Sequence, residues 1–171
     1  QAILTSKNHR TGTDRIYEAL KKLDKKDTDL IINLQGDEPL MKSDDIKNLN
    51  DKMILSKSKI GTLASNFLNK DLYENQNVVK VKTKERLQVS NFPEAINFMR
   101  KSEHFEENIY HHLGIYCYDI ETLKKYVSIK QSSKEIKSRL EQLRALDNNI
   151  KINVAQAKSS PIGLDTMEDY V

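Results

Sequence analysis

Short β-strand patterns alternate with helical patterns along this chain, and no other feature of the sequence restricts its fold as strongly. The compact apolar run over residues 29–34 predicts a strand, and apolar residues at helical spacing predict a helix over residues 12–23. Chains in which strands alternate with helices form parallel or mixed sheets that helices cover. We therefore predict an α/β fold with a mixed, mostly parallel sheet and helices on both faces.

The other predicted elements follow the same alternation, with an interruption in the middle of the chain. We predict further strands over residues 2–5, 60–65, 78–82, 110–118 and 150–157, and helices from Ser43, over 120–127, over 133–146 and from Thr166. Residues 86–90 are predicted to pair with 78–82, and residues 94–107 to form a loop with a short helix. No internal repeat or Gly/Ser linker is present, so residues 1–171 are interpreted as one domain.

Charge and hydropathy argue against two classes of function. The 28 basic and 25 acidic residues leave a net charge of only +3, and the lysines are spread along the chain, which argues against nucleic-acid binding. The longest apolar runs cover a few residues, so no membrane association is expected. Cys117 is the single cysteine and lies in an alternating apolar stretch, which predicts a buried structural thiol in a cytoplasmic protein.

Two aspartates follow predicted strands, which is where ligands gather in α/β proteins. Asp37 follows the 29–34 strand and the conformationally permissive Gly36, and Asp165 lies between the last predicted strand and the final helix. Both are candidate catalytic ligands of Mg²⁺, which prefers carboxylate, phosphate and water oxygens. A simple turn residue at Asp37 and a helix N-cap at Asp165 remain the alternatives.

The start of the first predicted helix carries candidate nucleotide-binding residues. Backbone amides and hydroxyls at Thr11, Gly12 and Thr13 could cradle a base or a phosphate, and Arg15 could anchor an anion. The alternative is a helix that is simply capped by one of the threonines.

Two further segments carry candidate residues for a polar ligand. His112 and Tyr116 lie on one face of the 110–118 strand because strand side chains alternate, and together they could bind a polyol or a carboxylate. Glu141 and Gln142 stand beside leucines that are spaced for a core-facing helix. A structural histidine and an ordinary polar surface are the respective alternatives.

No Gly-rich phosphate loop is present, and the chain begins with Gln1 and a predicted strand. These features suggest that an N-terminal part is missing, with a processed chain as the alternative. The family resemblance given below implies that the missing part holds a strand and the phosphate loop. On its own, the C-terminal portion in residues 1–171 is expected to be inactive.

Six segments together resemble the 3-deoxy-manno-octulosonate (KDO) cytidylyltransferases, or CMP-KDO synthetases, and they occur in the family's order along nearly the whole chain. The segments are His9–Arg15, Asn33–Pro39, Asn77–Val81, His112–Tyr116, Leu140–Arg144 and Gly163–Thr166. The run Asn33–Pro39, which resembles the family signature N-x-Q-G-D-E-P, is the most specific of them.

The resemblance implies a nucleotide-diphosphosugar transferase fold, which is Rossmann-like, in a cytoplasmic homodimer that serves lipopolysaccharide biosynthesis. It implies transfer of CMP from CTP to KDO, with release of pyrophosphate. Asp37 and Asp165 would hold Mg²⁺, and Thr11, Gly12 and Thr13 would lie near the cytosine. The residues facing the acid sugar would be Gln35, His112, Tyr116, Glu141 and Gln142.

One position is expected to depart from the family pattern. The family has an arginine near the sugar carboxylate after a strand, and Asn91 is aligned with that arginine here, with Arg86 or Arg100 as possible substitutes. Two alternative functions therefore stay open. One is a cytidylyltransferase for a related acid sugar, and the other is a non-catalytic binding protein.

Overall fold

The computed structural model describes residues 2–23, 27–36, 38–102 and 106–160. The helices within these ranges are α1 (Gly12–Leu23), α2 (Ser43–Ser56), α3 (Lys70–Glu74), α4 (Ile120–Ser128), α5 (Ser133–Ser138) and α6 (Leu143–Asp147). The strands are β1 (Leu30–Leu34), β2 (Ile60–Ser65), β3 (Lys80–Thr83), β4 (Ala95–Met99), β5 (Ile109–Asp119) and β6 (Ile152–Gln156).

All six described strands join one mixed sheet around the long strand β5. The sheet order is β4-β3-β5-β2-β6, and β1 also pairs with β5. Strands β1 and β3 share one edge of β5, because β1 pairs with residues 115–119 and β3 with residues 109–111. Strands β1, β2, β3 and β6 run in one direction, and β4 and β5 run in the other. The predicted α/β class with a mixed sheet is confirmed, but the expectation of a mostly parallel sheet is wrong for the described strands. Only β2 and β6 pair in parallel among the five described pairings, because β5 runs opposite to all of its neighbours.

Helices cover both faces of the sheet. On the first, which we call the α1 face, helices α1, α4 and α6 pack on a core that includes Tyr116 and Tyr118. On the second, the α2 face, α2 packs through Leu49 and Met53 on Cys117 and its neighbours. Cys117 is fully buried, and burial raises the pKa of its thiol to about 12, so the predicted structural thiol is confirmed.

A β-bulge interrupts the pairing of β2 with β5. Thr62 pairs with Tyr116, but the next residue of β2, Leu63, pairs with Leu113, so Gly114 and Ile115 are extra on β5. The Thr62 hydroxyl donates to the Ile115 carbonyl oxygen at 2.7 Å and satisfies one of the carbonyls that the bulge displaces. The bulge therefore lies between two positions that were predicted to bind a ligand, His112 and Tyr116.

The structure corrects several predicted elements. Residues 2–5 form no strand, and residues 86–90 form a turn in which the Val89 and Ser90 amides donate to the Arg86 carbonyl. The strand that pairs with β3 is instead β4, within the segment that was predicted to be a loop with a short helix. The predicted helix over 133–146 is two helices, because Arg139 adopts a left-handed conformation with φ of 53°. The helix predicted from Thr166 lies outside the described residues.

No helix in the described part of the chain is long and apolar enough to cross a membrane.

Candidate active site

Residues from four distant segments meet on the α1 face of the sheet. They come from the start of α1, the end of β1, the middle of β5 and the turn between α5 and α6. Thr13 is fully buried, and its hydroxyl donates to Glu141 Oε1 at 3.0 Å and lies 3.1 Å from the Tyr118 hydroxyl. The sequence alone did not show that the predicted nucleotide-binding segment and the predicted sugar-binding residues adjoin.

The first residues of α1 cap that helix and also border the candidate site. Thr11 caps the helix, since its hydroxyl accepts the Asp14 amide at 3.3 Å and donates to Asp14 Oδ2 at 3.0 Å. At Gly12, a β-carbon would lie 3.6 Å from the Gln35 Nε2 atom, so the predicted nucleotide and sugar residues are neighbours here as well.

Arg15 lies on the exposed side of α1. Its Nη1 atom donates to the Thr5 hydroxyl at 2.8 Å and to the Ser6 carbonyl at 3.0 Å. In this structure the guanidinium therefore binds the segment that precedes the helix.

His112 and Tyr116 lie side by side on the α1 face, with ring centroids 5.4 Å apart. Both are buried, and the His112 Nε2 atom lies 2.9 Å from the Thr62 hydroxyl oxygen. Burial, with a further effect of His111, lowers the pKa of His112 to about 3, so its imidazole is neutral near pH 7. Burial also raises the pKa of Tyr116, and the nearby Tyr118 and Glu141 raise it further. The pair consequently offers neutral hydrogen-bonding groups to a ligand.

Glu141 and Gln142 occupy the turn between α5 and α6 and point inward. Gln142 is buried, and burial raises the pKa of Glu141, although contacts with the Thr11 and Thr13 hydroxyls oppose that rise. The alternative of an ordinary polar surface is excluded by this burial.

Arg144, which was not predicted as a site residue, supports that turn. Its guanidinium binds Glu135 through two hydrogen bonds, at 2.9 and 2.6 Å, and lies 4.7 Å from the centre of the Tyr126 ring. The Tyr126 hydroxyl donates to the Glu141 carbonyl oxygen at 2.5 Å. The sequence carries two signals for this role, namely the motif segment Leu140–Arg144, which ends at this arginine, and a position that helical spacing turns inward.

Asn33 was also missed, although it lies in the most specific motif of the sequence. It is 2% exposed and pairs directly with Tyr116 across the β1–β5 ladder. A polar residue inside an otherwise apolar strand was the signal that could have identified it.

The two predicted magnesium ligands, Asp37 and Asp165, lie outside the described residues. Within the described ranges, no group of three or more His, Cys, Asp or Glu side chains is arranged to hold a metal. Gly36, next to Asp37, has open space where a β-carbon would lie. On the other side of Asp37, Glu38 Oε1 accepts the Gly114 amide at 2.9 Å, between the two strands that share this edge of β5.

The structure corrects the expected departure at Asn91. The strand that pairs with β3 is β4, and the residue after that strand is Arg100. Asn91 instead accepts hydrogen bonds from the Lys52 ammonium of α2. Arg86 forms an exposed ion pair with Glu107, at 2.7 Å. Arg100 therefore follows a strand, as the arginine of the family pattern does, whereas Asn91 does not, so Asn91 no longer indicates that this arginine is lost.

Arg100 is held at the end of β4 by main-chain oxygens. Its guanidinium donates to the carbonyls of Gln76, Asn77, Ser138 and Arg139 at 3.3–3.4 Å. Its own carbonyl accepts the buried Lys80 ammonium at 2.9 Å. Two of the four carbonyls belong to the end of α5, so Arg100 connects the sheet edge to the segment that leads into Glu141.

Comparison with known proteins agrees with this geometry. The model of the cytidylyltransferase family matches residues 1–152. The 3-deoxy-manno-octulosonate cytidylyltransferase of Thermodesulfovibrio yellowstonii is 41% identical over 179 residues, which cover 99% of this chain and 70% of that protein. The enzyme of the same description from Bartonella tribocorum is 38% identical over 98% of this chain and 69% of its own length.

Two solved structures are similar to this chain in fold. A CMP:2-keto-3-deoxy-manno-octonic acid synthetase in complex with CTP superposes with a TM-score of 0.81 at 30% identity, over 97% of this chain and 67% of that chain. A protein described as mannose-1-phosphate geranyltransferase from Thermus thermophilus superposes with a TM-score of 0.63 at 11% identity, which is a likeness of fold alone.

Proposed function

Because the chain belongs to the cytidylyltransferase family, we propose that it transfers CMP from CTP to the anomeric hydroxyl of KDO, giving CMP-KDO and pyrophosphate. The observation that carries the proposal is the similarity to KDO cytidylyltransferases, at 41% identity over 99% of the chain. The contact between Thr13 and Glu141, at 3.0 Å, agrees with it, because it brings a residue that was predicted to bind the nucleotide next to one that the family resemblance assigns to the sugar.

The reaction requires positioning more than covalent work from the protein. The anomeric oxygen of the sugar attacks the α-phosphorus of CTP, and the bond from that phosphorus to the bridging oxygen of pyrophosphate breaks. Holding the two reactants in line and balancing the developing charge supply most of the rate enhancement in such transfers. The rigid contacts among α1, β5 and the α5–α6 turn suit that task.

Each group of residues has a role in this scheme. Thr11, Gly12 and Thr13 bind the cytidine end of CTP. The sugar acid is bound by neutral or acidic hydrogen-bonding side chains, namely Gln35, His112, Tyr116, Glu141 and Gln142. We assign the sugar carboxylate to Arg100, because a guanidinium binds a planar carboxylate through paired hydrogen bonds. Four of its five N–H groups donate to main-chain carbonyls in this structure, so paired binding requires that some of those hydrogen bonds be exchanged for the carboxylate.

We also propose that Mg²⁺ is held by Asp37 and Asp165. The chemistry of the donors fits, since two carboxylates leave coordination positions for phosphate and water oxygens, which Mg²⁺ prefers. When bound, the ion supplies neutralisation of charge on the phosphate oxygens.

The proposal extends to a homodimer in the cytoplasm whose product serves lipopolysaccharide biosynthesis. The single buried thiol of Cys117 is compatible with a reducing compartment.

The test is release of pyrophosphate by the full-length protein supplied with CTP and KDO, with and without Mg²⁺. We expect release only when all three are present, and at least a hundredfold loss in the Asp37→Asn and Asp165→Asn variants, because each removes a carboxylate charge from the metal.

Three results would contradict parts of this scheme. A wild-type protein that binds CTP but releases no pyrophosphate with KDO would indicate a different acid sugar. Failure to bind CTP would indicate a non-catalytic binding protein. Near-normal turnover in either Asn variant would remove that aspartate from the metal site.

A further inference from the structure

The side-chain amide of Asn33 is buried without an acceptor. Asn33 is 2% exposed, and its Nδ2 atom has no hydrogen-bond partner among the residues that the structure describes. A buried N–H group without an acceptor lowers the stability of the folded protein. A leucine of nearly the same shape would avoid that cost, so the folding of β1 does not explain the amide.

Asn33 lies on the face of the sheet that holds the candidate site. Residues that face each other in an antiparallel pair have side chains on the same face of the sheet, and Asn33 faces Tyr116. Tyr116 in turn lies beside His112 and close enough to Glu141 for that carboxylate to raise its pKa. Gln35, two residues after Asn33, continues the same side of the chain and borders Gly12.

Glu141 provides the complementary group. Its Oε1 atom accepts the Thr13 hydroxyl, and its Oε2 atom is buried without a hydrogen bond of ordinary geometry to the described residues. The buried donor at Asn33 faces Tyr116, and Thr13 links the buried acceptor at Glu141 to Tyr118. The Tyr116 and Tyr118 rings stack with centroids 5.9 Å apart, so donor and acceptor lie on the same face of the sheet. A hydroxyl group satisfies both kinds of partner, because it accepts one hydrogen bond and donates another.

We propose that Asn33 is a further substrate-binding residue whose Nδ2 donates a hydrogen bond to an oxygen of the bound acid sugar. This inference rests on the proposed function and deepens it, because it adds a specificity determinant to the sugar side of the same site. A polyhydroxylated acid offers several such oxygens. A site built around an amide donor discriminates strongly against an analogue that lacks the matching oxygen.

The test combines stability and kinetics in the full-length Asn33→Leu and Asn33→Asp variants. Asn33→Leu should raise the Tm of the substrate-free protein by about 2–4 °C, because it removes a buried amide without an acceptor. The same variant should raise the KM for KDO at least tenfold and leave the KM for CTP within twofold. Asn33→Asp keeps the shape, loses the donor and should raise the KM for KDO as well.

Asn153 provides a matched control in another strand. Its Nδ2 atom has a partner, the Phe92 carbonyl oxygen at 2.8 Å. Asn153→Leu should therefore lower the Tm, because it leaves that carbonyl without its donor, and should change neither KM.

The inference is overturned if Asn33→Leu lowers the Tm, or if the Tm rises and the KM for KDO stays within twofold of the wild-type value. Failure of the proposed function would be seen separately, since the wild-type protein itself would then release no pyrophosphate.

Discussion

At the scale of single residues, two adjacent histidines on β5 are kept neutral by burial. The pKa of His111 is lowered to about 4 by burial and by Lys80, and that of His112 to about 3 by burial and by His111. His111 stacks on Phe67 and lies 3.3 Å from the Ser160 hydroxyl. A neutral His112 can donate or accept a hydrogen bond, and it supplies no positive charge for a carboxylate or phosphate.

These lowered pKa values predict a loss of stability in mild acid. In the unfolded chain the histidines take up protons near pH 6.5, whereas in the folded protein they do so only near pH 4 and pH 3. The contribution of the two histidines to the free energy of unfolding is therefore complete above about pH 6.5 and is lost as the pH falls. For His112 alone the loss between pH 7 and pH 4.5 is about 2–3 kcal/mol.

Urea unfolding at a series of pH values checks this prediction. His112→Gln keeps a hydrogen-bonding group near Thr62 and does not titrate, so the acid side of its stability profile should be flatter by about that amount. Parallel profiles for the wild type and the variant would show that His112 is protonated in the folded state.

At the scale of elements, a buried ion pair joins the short helices α5 and α6. The turn between these two helices carries Glu141 and Gln142. The side chains of Arg144 and Glu135 are 2% and 3% exposed. The left-handed conformation of Arg139 ends α5, and the ion pair brings α6 back against it. The turn that results holds Glu141 against Thr13.

Arg144→Met should lower the free energy of unfolding by about 3–5 kcal/mol, because it leaves the Glu135 carboxylate buried without its partner. The double variant Glu135→Leu with Arg144→Met should recover most of that loss, since apolar pairs often replace buried ion pairs without cost. Its KM for KDO should stay raised, because the turn that holds Glu141 has lost its anchor. Urea unfolding and initial-rate kinetics measure the two effects.

Arg86→Met is the control for this prediction, because the Arg86–Glu107 pair is exposed, with side chains 54% and 71% accessible. That substitution should change stability by no more than about 1 kcal/mol. Equal losses in the Arg86 and Arg144 variants, or a wild-type KM in the double variant, would show that the buried pair has no special role in the site.

At the scale of the whole molecule, the proposed site and part of the apolar core lie on opposite faces of one sheet. Leu49 and Met53 of α2 pack on the α2 face, where none of the described candidate binding residues points. The helix lies close to the sheet at Gly61, where a β-carbon would come within 2.6 Å of the Met53 sulfur. Both faces contribute apolar core, and the proposed site lies on the α1 face alone.

Leu49→Ala should therefore separate stability from substrate binding. Leu49 is fully buried, and its truncation should lower the free energy of unfolding by about 2–5 kcal/mol. Both KM values should stay within twofold of the wild type at a temperature where the variant is folded. A selective rise in the KM for KDO would show instead that the α2 face is coupled to the site.

Local patterns in the sequence were enough to predict several helices and strands and the segments that hold the candidate site residues. Helix α1 and strand β2 have the predicted bounds, because hydrophobic periodicity is a local property that each segment carries within itself. The motif segments around Thr13, His112 and Glu141 were likewise visible, since they stand where strands and helices end.

Contacts between distant segments, and the bounds of the less regular elements, became visible only in the folded structure. Thr13 and Glu141 are 128 residues apart in the chain, so no local pattern shows their hydrogen bond. Strand β4 was missed because its burial does not alternate strictly, and the end of α5 was missed because the left-handed conformation of Arg139 is not visible in the hydrophobic periodicity. Asn33 stands out in the sequence as a polar residue in an apolar strand, but its place opposite Tyr116 depends on the pairing of β1 with β5. In each case the deciding interaction joins residues distant in sequence, and packing of the folded chain alone brings them together.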